Sequence, residues 1–237
     1  MATLHNAVFG SINGKIGNAV ARSVHGKDFI SHRPTKYKKT KSPKAIIARS
    51  KFATNVKFAK HINSIPELSH AWKNADLNGF DSYHRLLSCN YKYVSETSPT
   101  IDNIILPPAE THYNYNLDIT GNDLNIGFAP GLFIQNEKYR TSLSIFAVLL
   151  FNEPIRKRKN SFIIKNAILK DIDLNDNGFN NVNIPFEKSI SQLITKYKNM
   201  VVYLALIFNP ENPSQISWLP METKSINLKA IASSVIE

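Results

Sequence analysis

The chain has 237 residues, 43% hydrophobic and 20% charged, with a formal net charge of +11 at pH 7 and a single cysteine. That length and apolar share allow one large or two small domains around a buried core, and they exclude a disordered or collagen-like chain. Cys89 alone excludes an intramolecular disulfide. No apolar run reaches membrane-spanning length, and the N-terminus lacks a basic-then-apolar leader, so cytoplasmic synthesis without a signal peptide or membrane span is expected.

Four of the nine glycines fall between residues 10 and 26. Short alternations over 19–24 and 28–31 flank His25-Gly26-Lys27 and predict a hairpin with a glycine-assisted turn. Pro34 ends it, and residues 35–42 read as a polar, basic loop. Ser42-Pro43 then reads as an N-cap followed by Pro at the first helical position. Ala45, Ala48, Phe52, Val56, Ala59 and Ile62 recur at steps of three and four and predict one apolar helix face. Pro66 interrupts, and a short helix follows with Leu68, Ala71, Trp72 and Ala75. After the Asn78-Gly79 turn, Asp81 or Ser82 caps a third helix that carries Tyr83, Leu86, Leu87, Asn90, Tyr91 and Val94 on one side. Phe52, Trp72 and Tyr83 are the expected anchors of a small helical core.

The texture changes at the polar, Pro-containing segment 95–100. Beyond it, strands are expected over 101–106, 113–119, 124–128, 143–151, 162–174, 182–185, 200–208, 216–219 and 223–228, with a helix over 189–198. Short strands between Asn, Pro and Gly turns suggest an antiparallel sandwich. The expected fold class is therefore α+β, mainly β. A basic glycine-containing hairpin and helical module occupies 1–96, and an antiparallel β-sandwich-like domain occupies 97–237.

Charge follows the same division. Up to residue 95 there are sixteen Lys/Arg against four acids, so the first two-fifths carries +12 and the remainder −1. Ten of these cations fall within 33–60 without one acid: Arg33, Lys36, Lys38, Lys39, Lys41, Lys44, Arg49, Lys51, Lys57 and Lys60. The first eight are the candidate contacts for a polyanion or an acidic partner, and Tyr37 among them could stack on a base. A solvated face is the plainer reading of such a run.

Catalytic patterns are poorly matched. Gly10-Ser-Ile-Asn-Gly14-Lys15-Ile16 has three residues between its glycines where a phosphate loop needs four, and Ile16 replaces the magnesium-binding Ser/Thr. No His or Cys pair has the i, i+3 or i, i+4 spacing of helical metal ligands, and His84 lies five residues from Cys89. Asp171 to Gly178 lacks the terminal Glu of a calcium loop. No cofactor, metal or enzymatic activity is expected.

The order Phe9-Gly10-x3-Gly14-Lys15-Ile16-Gly17-Asn18, then Gly26-Lys27 with Ile30-x2-Arg33-Pro34, then Ser42-Pro43-x5-Arg49-x2-Phe52, resembles the N-terminal signature of an uncharacterised Bacteroidota family. That family is catalogued only as a domain of unknown function. Trp72, Tyr83, Tyr203 and the apolar segment 201–208 match its later texture, whereas His25 stands where the family tends to have Trp. The resemblance implies a β-rich, non-catalytic protein and nothing about a site. The functional expectation is a structural or assembly protein that contacts other subunits as a homo- or hetero-oligomer, with a phage virion or tail-like particle component as one fitting identity. The alternative is a nucleic-acid-binding protein that uses residues 33–60.

Overall fold

The computed structural model describes residues 2–4, 14–24, 26–33, 40–109, 113–120, 122–128, 143–156, 161–172, 181–208 and 217–228. Among them the fold is mainly β with helices, in three antiparallel sheets, as the sequence predicts. The chain divides into two units between Ile46 and Ile47.

In the first unit, β1 (Ala2–Leu4), β2 (Gly14–Ile16), β3 (Ala19–Val24) and β4 (Lys27–His32) form a sheet in the order β1-β4-β3-β2. The predicted hairpin is β3–β4, in which Val24 pairs with Lys27 and Gly26 has φ +72°. A second two-residue loop joins β2 to β3, where Gly17 supplies φ +52° at the first central position. Ala21 is buried in this sheet.

The second unit is built on a five-stranded sheet. Its long central strands, β7 (Leu143–Pro154) and β10 (Tyr197–Phe208), are paired along their length, with Val148 opposite Tyr203. β8 (Phe162–Ile172) lies beyond β7, while β11 (Ser217–Pro220) and β12 (Lys224–Asn227) share the other edge of β10. Both central strands are apolar on both faces because both faces are covered.

Leu143, Ile145, Ala147, Leu149 and Phe151 of β7 share a core with a three-stranded sheet of β5 (Tyr115–Thr120), β6 (Asp123–Phe128) and β9 (Asn181–Pro185). Ile190 and Leu193 of α4 (Lys188–Ile194) join that core. The alternate residues Phe146, Val148 and Leu150 pack against α1 (Pro43–Asn63), α2 (Pro66–Asn74) and α3 (Ser82–Asn90). The period-2 alternation of one strand thus separates two cores. The sandwich-like packing of sheet on sheet is present, and the helices form a further layer on it.

The join expected near residue 97 lies inside this unit. Trp72 and Leu86 belong to one core with Phe146 and Tyr203, so the helices have no core apart from the sheet. Segment 95–106 is fastened on several sides. Thr54 Oγ1 donates to Glu96 O at 3.2 Å, Thr100 Oγ1 to Tyr93 O at 2.7 Å, and the Tyr203 hydroxyl to Thr100 O. Residues 101–106 form no strand. Their backbone is instead held by side chains: Asn90 Oδ1 accepts from Ile104 N at 2.8 Å, and the Trp72 indole donates to Ile105 O at 2.9 Å. Of the expected anchors, Trp72 is buried and Tyr83 packs partly buried, but Phe52 is 51% exposed. Phe58 holds α1 to the core instead.

Candidate functional site

The candidate cations do not gather on one element. Arg33 is exposed after β4, where its backbone N donates to Asn18 O at 2.7 Å, and Lys41 is exposed ahead of α1. Lys36, Lys38 and Lys39, together with Tyr37, lie outside the described residues. Lys44, Arg49 and Lys51 share α1, as do Lys57 and Lys60.

Ser42 caps α1 as expected, its Oγ accepting from Ala45 N at 3.3 Å. The two halves of the helix then differ. Thr54, Asn55, Phe58, Ala59 and Ile62 are buried and form one stripe at helical spacing. Asn55 Nδ2 donates to Leu87 O at 2.7 Å, and the Phe58 ring meets Tyr203 edge-on at 5.6 Å between centroids. His61 Nε2 lies 2.7 Å from Asn166 Oδ1 on β8. Burial holds the His61 pKa below its ordinary value, against the Asn166 hydrogen bond and with Lys165 adding to the depression.

Residues 47–53 are the opposite case, because none of them is buried. Ile47 is 40% and Phe52 51% exposed, and Ile46 on the preceding turn is 49% exposed. At 3.6 residues per turn, Arg49, Ala53, Lys57 and Lys60 run along the side opposite the buried stripe. Lys51 stands over the Tyr91 ring at 5.9 Å from its centroid, and Lys57 over the Phe162 ring at 5.6 Å. The first turn holds Lys44 and no acid, the reverse of what the helix dipole favours. The N-terminal half of α1 is therefore carried by its Ser42 cap, its Ala, Arg and Lys residues and its continuity with the packed half, while Ile46, Ile47 and Phe52 stay in solvent.

Other chemistry singled out in the sequence resolves locally. His84 Nδ1 lies 2.8 Å from Asp81 Oδ1, the α3 cap, which also accepts from His84 N at 2.8 Å. Those contacts hold the Asp81 carboxyl below the usual range, the backbone bond foremost. Cys89 is half-buried, and burial pushes its thiol up against the pull of Lys92, away from a reactive thiolate. Among the described residues no three His, Cys, Asp or Glu side chains converge as metal ligands would. No helix among them is long and apolar enough to cross a membrane.

The exposure of Ile47 and Phe52 was not legible in the apolar periodicity, which marks a face without saying where its cover ends. A depression of about 440 Å³ on the outer face of the three-stranded sheet was missed as well. Its signal is Asn and Asp at every second position in three strands, two of them far apart in sequence. No family model, no curated protein and no solved structure matches the chain.

Proposed function

We propose that the protein is a non-enzymatic structural or assembly protein that docks another protein chain on the N-terminal half of α1. One observation carries the reading: two helical turns, 47–53, bury none of their residues and display Ile47 and Phe52. These turns continue from the packed C-terminal half of α1, but that packing leaves the Ile47 and Phe52 side chains in solvent. A partner that covers Ile47 and Phe52 supplies the missing burial. Arg49 and the cations around it select for an acidic surface and speed encounter. A phage virion or tail-like particle component is one identity that fits such a part.

A second reading is favoured by Arg49, Lys57 and Lys60, which lie along one side of a helix without an acid. In that reading the side tracks a nucleic-acid backbone. Size-exclusion chromatography with light scattering, at low and high salt and with nuclease treatment, separates the two. Assembly through apolar contacts survives salt and nuclease and is lost in Phe52→Ala. Binding through phosphates falls with a log–log salt slope of about −0.7 to −0.9 per contact. A monomer under all conditions, with no affinity for nucleic acid, contradicts both readings.

A further inference from the structure

We propose that the outer face of the three-stranded sheet is a binding site for a neutral saccharide, at a depression floored by Gly127. This site is separate from α1, and its failure would leave the reading of that helix untouched.

The register builds the site. Asn116, Gly127 and Asn181 lie side by side across β5, β6 and β9, and Asp118, Asn125 and Asn183 form the next row. The residues between them (Leu117, Ile126 and Val182) turn inward to the core, so the five side chains of these two rows face outward together around Gly127. A depression of about 440 Å³ lies over them, within the range of ~300–1,000 Å³ common for small-molecule sites.

Sheet stability does not account for this composition. Asn, Asp and Gly are depleted in strands, and a mid-strand glycine weakens one. Gly127 also has no backbone need to be glycine, since its φ is not in the left-handed region. Its effect is spatial: a Cβ there would lie 3.1 Å from Asn181 Oδ1 and 3.5 Å from Asn116 Cβ, filling the floor between them. Neither row carries a lysine or arginine, although the chain has 29.

The hydrogen-bonding groups then select the ligand. Each carboxamide offers both donors and acceptors, as each sugar hydroxyl does. Neighbours already orient several of them. Asp118 Oδ1 accepts from Ile119 N at 2.8 Å, Asn125 Nδ2 donates to Thr120 Oγ1 at 3.0 Å, and Asn183 Nδ2 donates to Asp123 Oδ2 at 3.3 Å. Asp118, with no cation among the described residues that line the depression, disfavours an anionic ligand, and the polar lining disfavours an apolar one.

The test titrates the full chain with maltotriose, with tri-N-acetylchitotriose and with trigalacturonate, read by amide chemical shifts and calorimetry. A few hydrogen bonds in competition with water predict saturable binding of a neutral trisaccharide with Kd of order 1 mM. The shifts should centre on Gly127, Asn116 and Asn181, and trigalacturonate should bind more weakly. Gly127→Val, which suits a strand better than glycine, should weaken binding at least about tenfold without lowering Tm. Asn181→Thr should weaken binding as well, and it keeps the test intact if the valine disturbs folding. Three results would overturn the proposal: no saturable binding of either neutral sugar, unchanged affinity in both variants, or preference for the acidic trimer.

Discussion

Phe52 and Phe58 lie six residues apart on α1 and should respond oppositely to the same truncation. Phe58 is fully buried, in a core with Trp72, Leu86, Phe146 and Tyr203, and its ring stacks edge-on against Tyr203 at 5.6 Å. Phe58→Ala removes that burial and leaves a cavity between helix and sheet, which costs about 3–5 kcal/mol. Against a total stability of ~5–15 kcal/mol, that is a large share. Phe52 is 51% exposed, so Phe52→Ala should fall within about 0.5 kcal/mol of the parent. Urea unfolding followed by tryptophan fluorescence is a suitable assay, because Trp72 sits in the affected core. Both variants should keep the parental m value, so the midpoint alone reports stability. A loss above about 2 kcal/mol for Phe52→Ala, or below about 1 kcal/mol for Phe58→Ala, would refute the assignment of faces on this helix.

Asn90 is fully buried; it donates to Leu86 O at 3.1 Å and Ile104 O at 3.0 Å and accepts from Asn103 Nδ2 at 2.9 Å. Asn90→Ala should cost about 3 kcal/mol by denaturant titration, since it also strands the Ile104 amide. Asp81→Ala removes the α3 cap and should cost about 1 kcal/mol, with Asp81→Asn recovering most of it; equal losses for both would point to charge instead of the cap bond. The His61 pKa is depressed in the folded protein, so its contribution is complete above the ordinary histidine value and declines as pH falls below it, where the unfolded chain takes up the proton first. Stability should therefore fall between about pH 7 and 5, and His61→Gln should flatten that part of the profile; an unchanged slope would contradict the assignment.

Features set by local chemistry were legible in the sequence. The β3–β4 hairpin follows from Gly26, the α1 and α3 starts from Ser42 and Asp81, and the central strands β7 and β10 from their uninterrupted apolar runs. What escaped depends on distant partners. Thr54 and Asn55 look like solvent positions, yet both are buried because Glu96 and Leu87 offer carbonyls to them. That rotates the true face of α1 toward Phe58 and away from Phe52. The segment 95–100 has a linker's composition, but a hydroxyl ties its backbone into a turn: Ser95 Oγ accepts from Ser98 N at 3.0 Å and donates to Ser98 O at 2.7 Å. Ile104 and Ile105 are β-branched and read as strand residues, although side chains of α2 and α3 take their backbone groups. The Asn-rich rows become visible only through register, because β9 pairs with β6 across more than fifty residues.

Native-state amide hydrogen exchange along α1, on nuclease-treated protein at rising concentration, tests the assembly role most directly. The account predicts that amides of Phe58 to Ile62 are protected at every concentration, held by the core they are buried in. Amides of residues 49–53 should exchange rapidly in dilute protein and gain protection as oligomers form, with Phe52→Ala abolishing the gain. Protection of 49–53 that is already high in the dilute monomer, or oligomers that form while those amides stay open, would contradict α1 as the docking element.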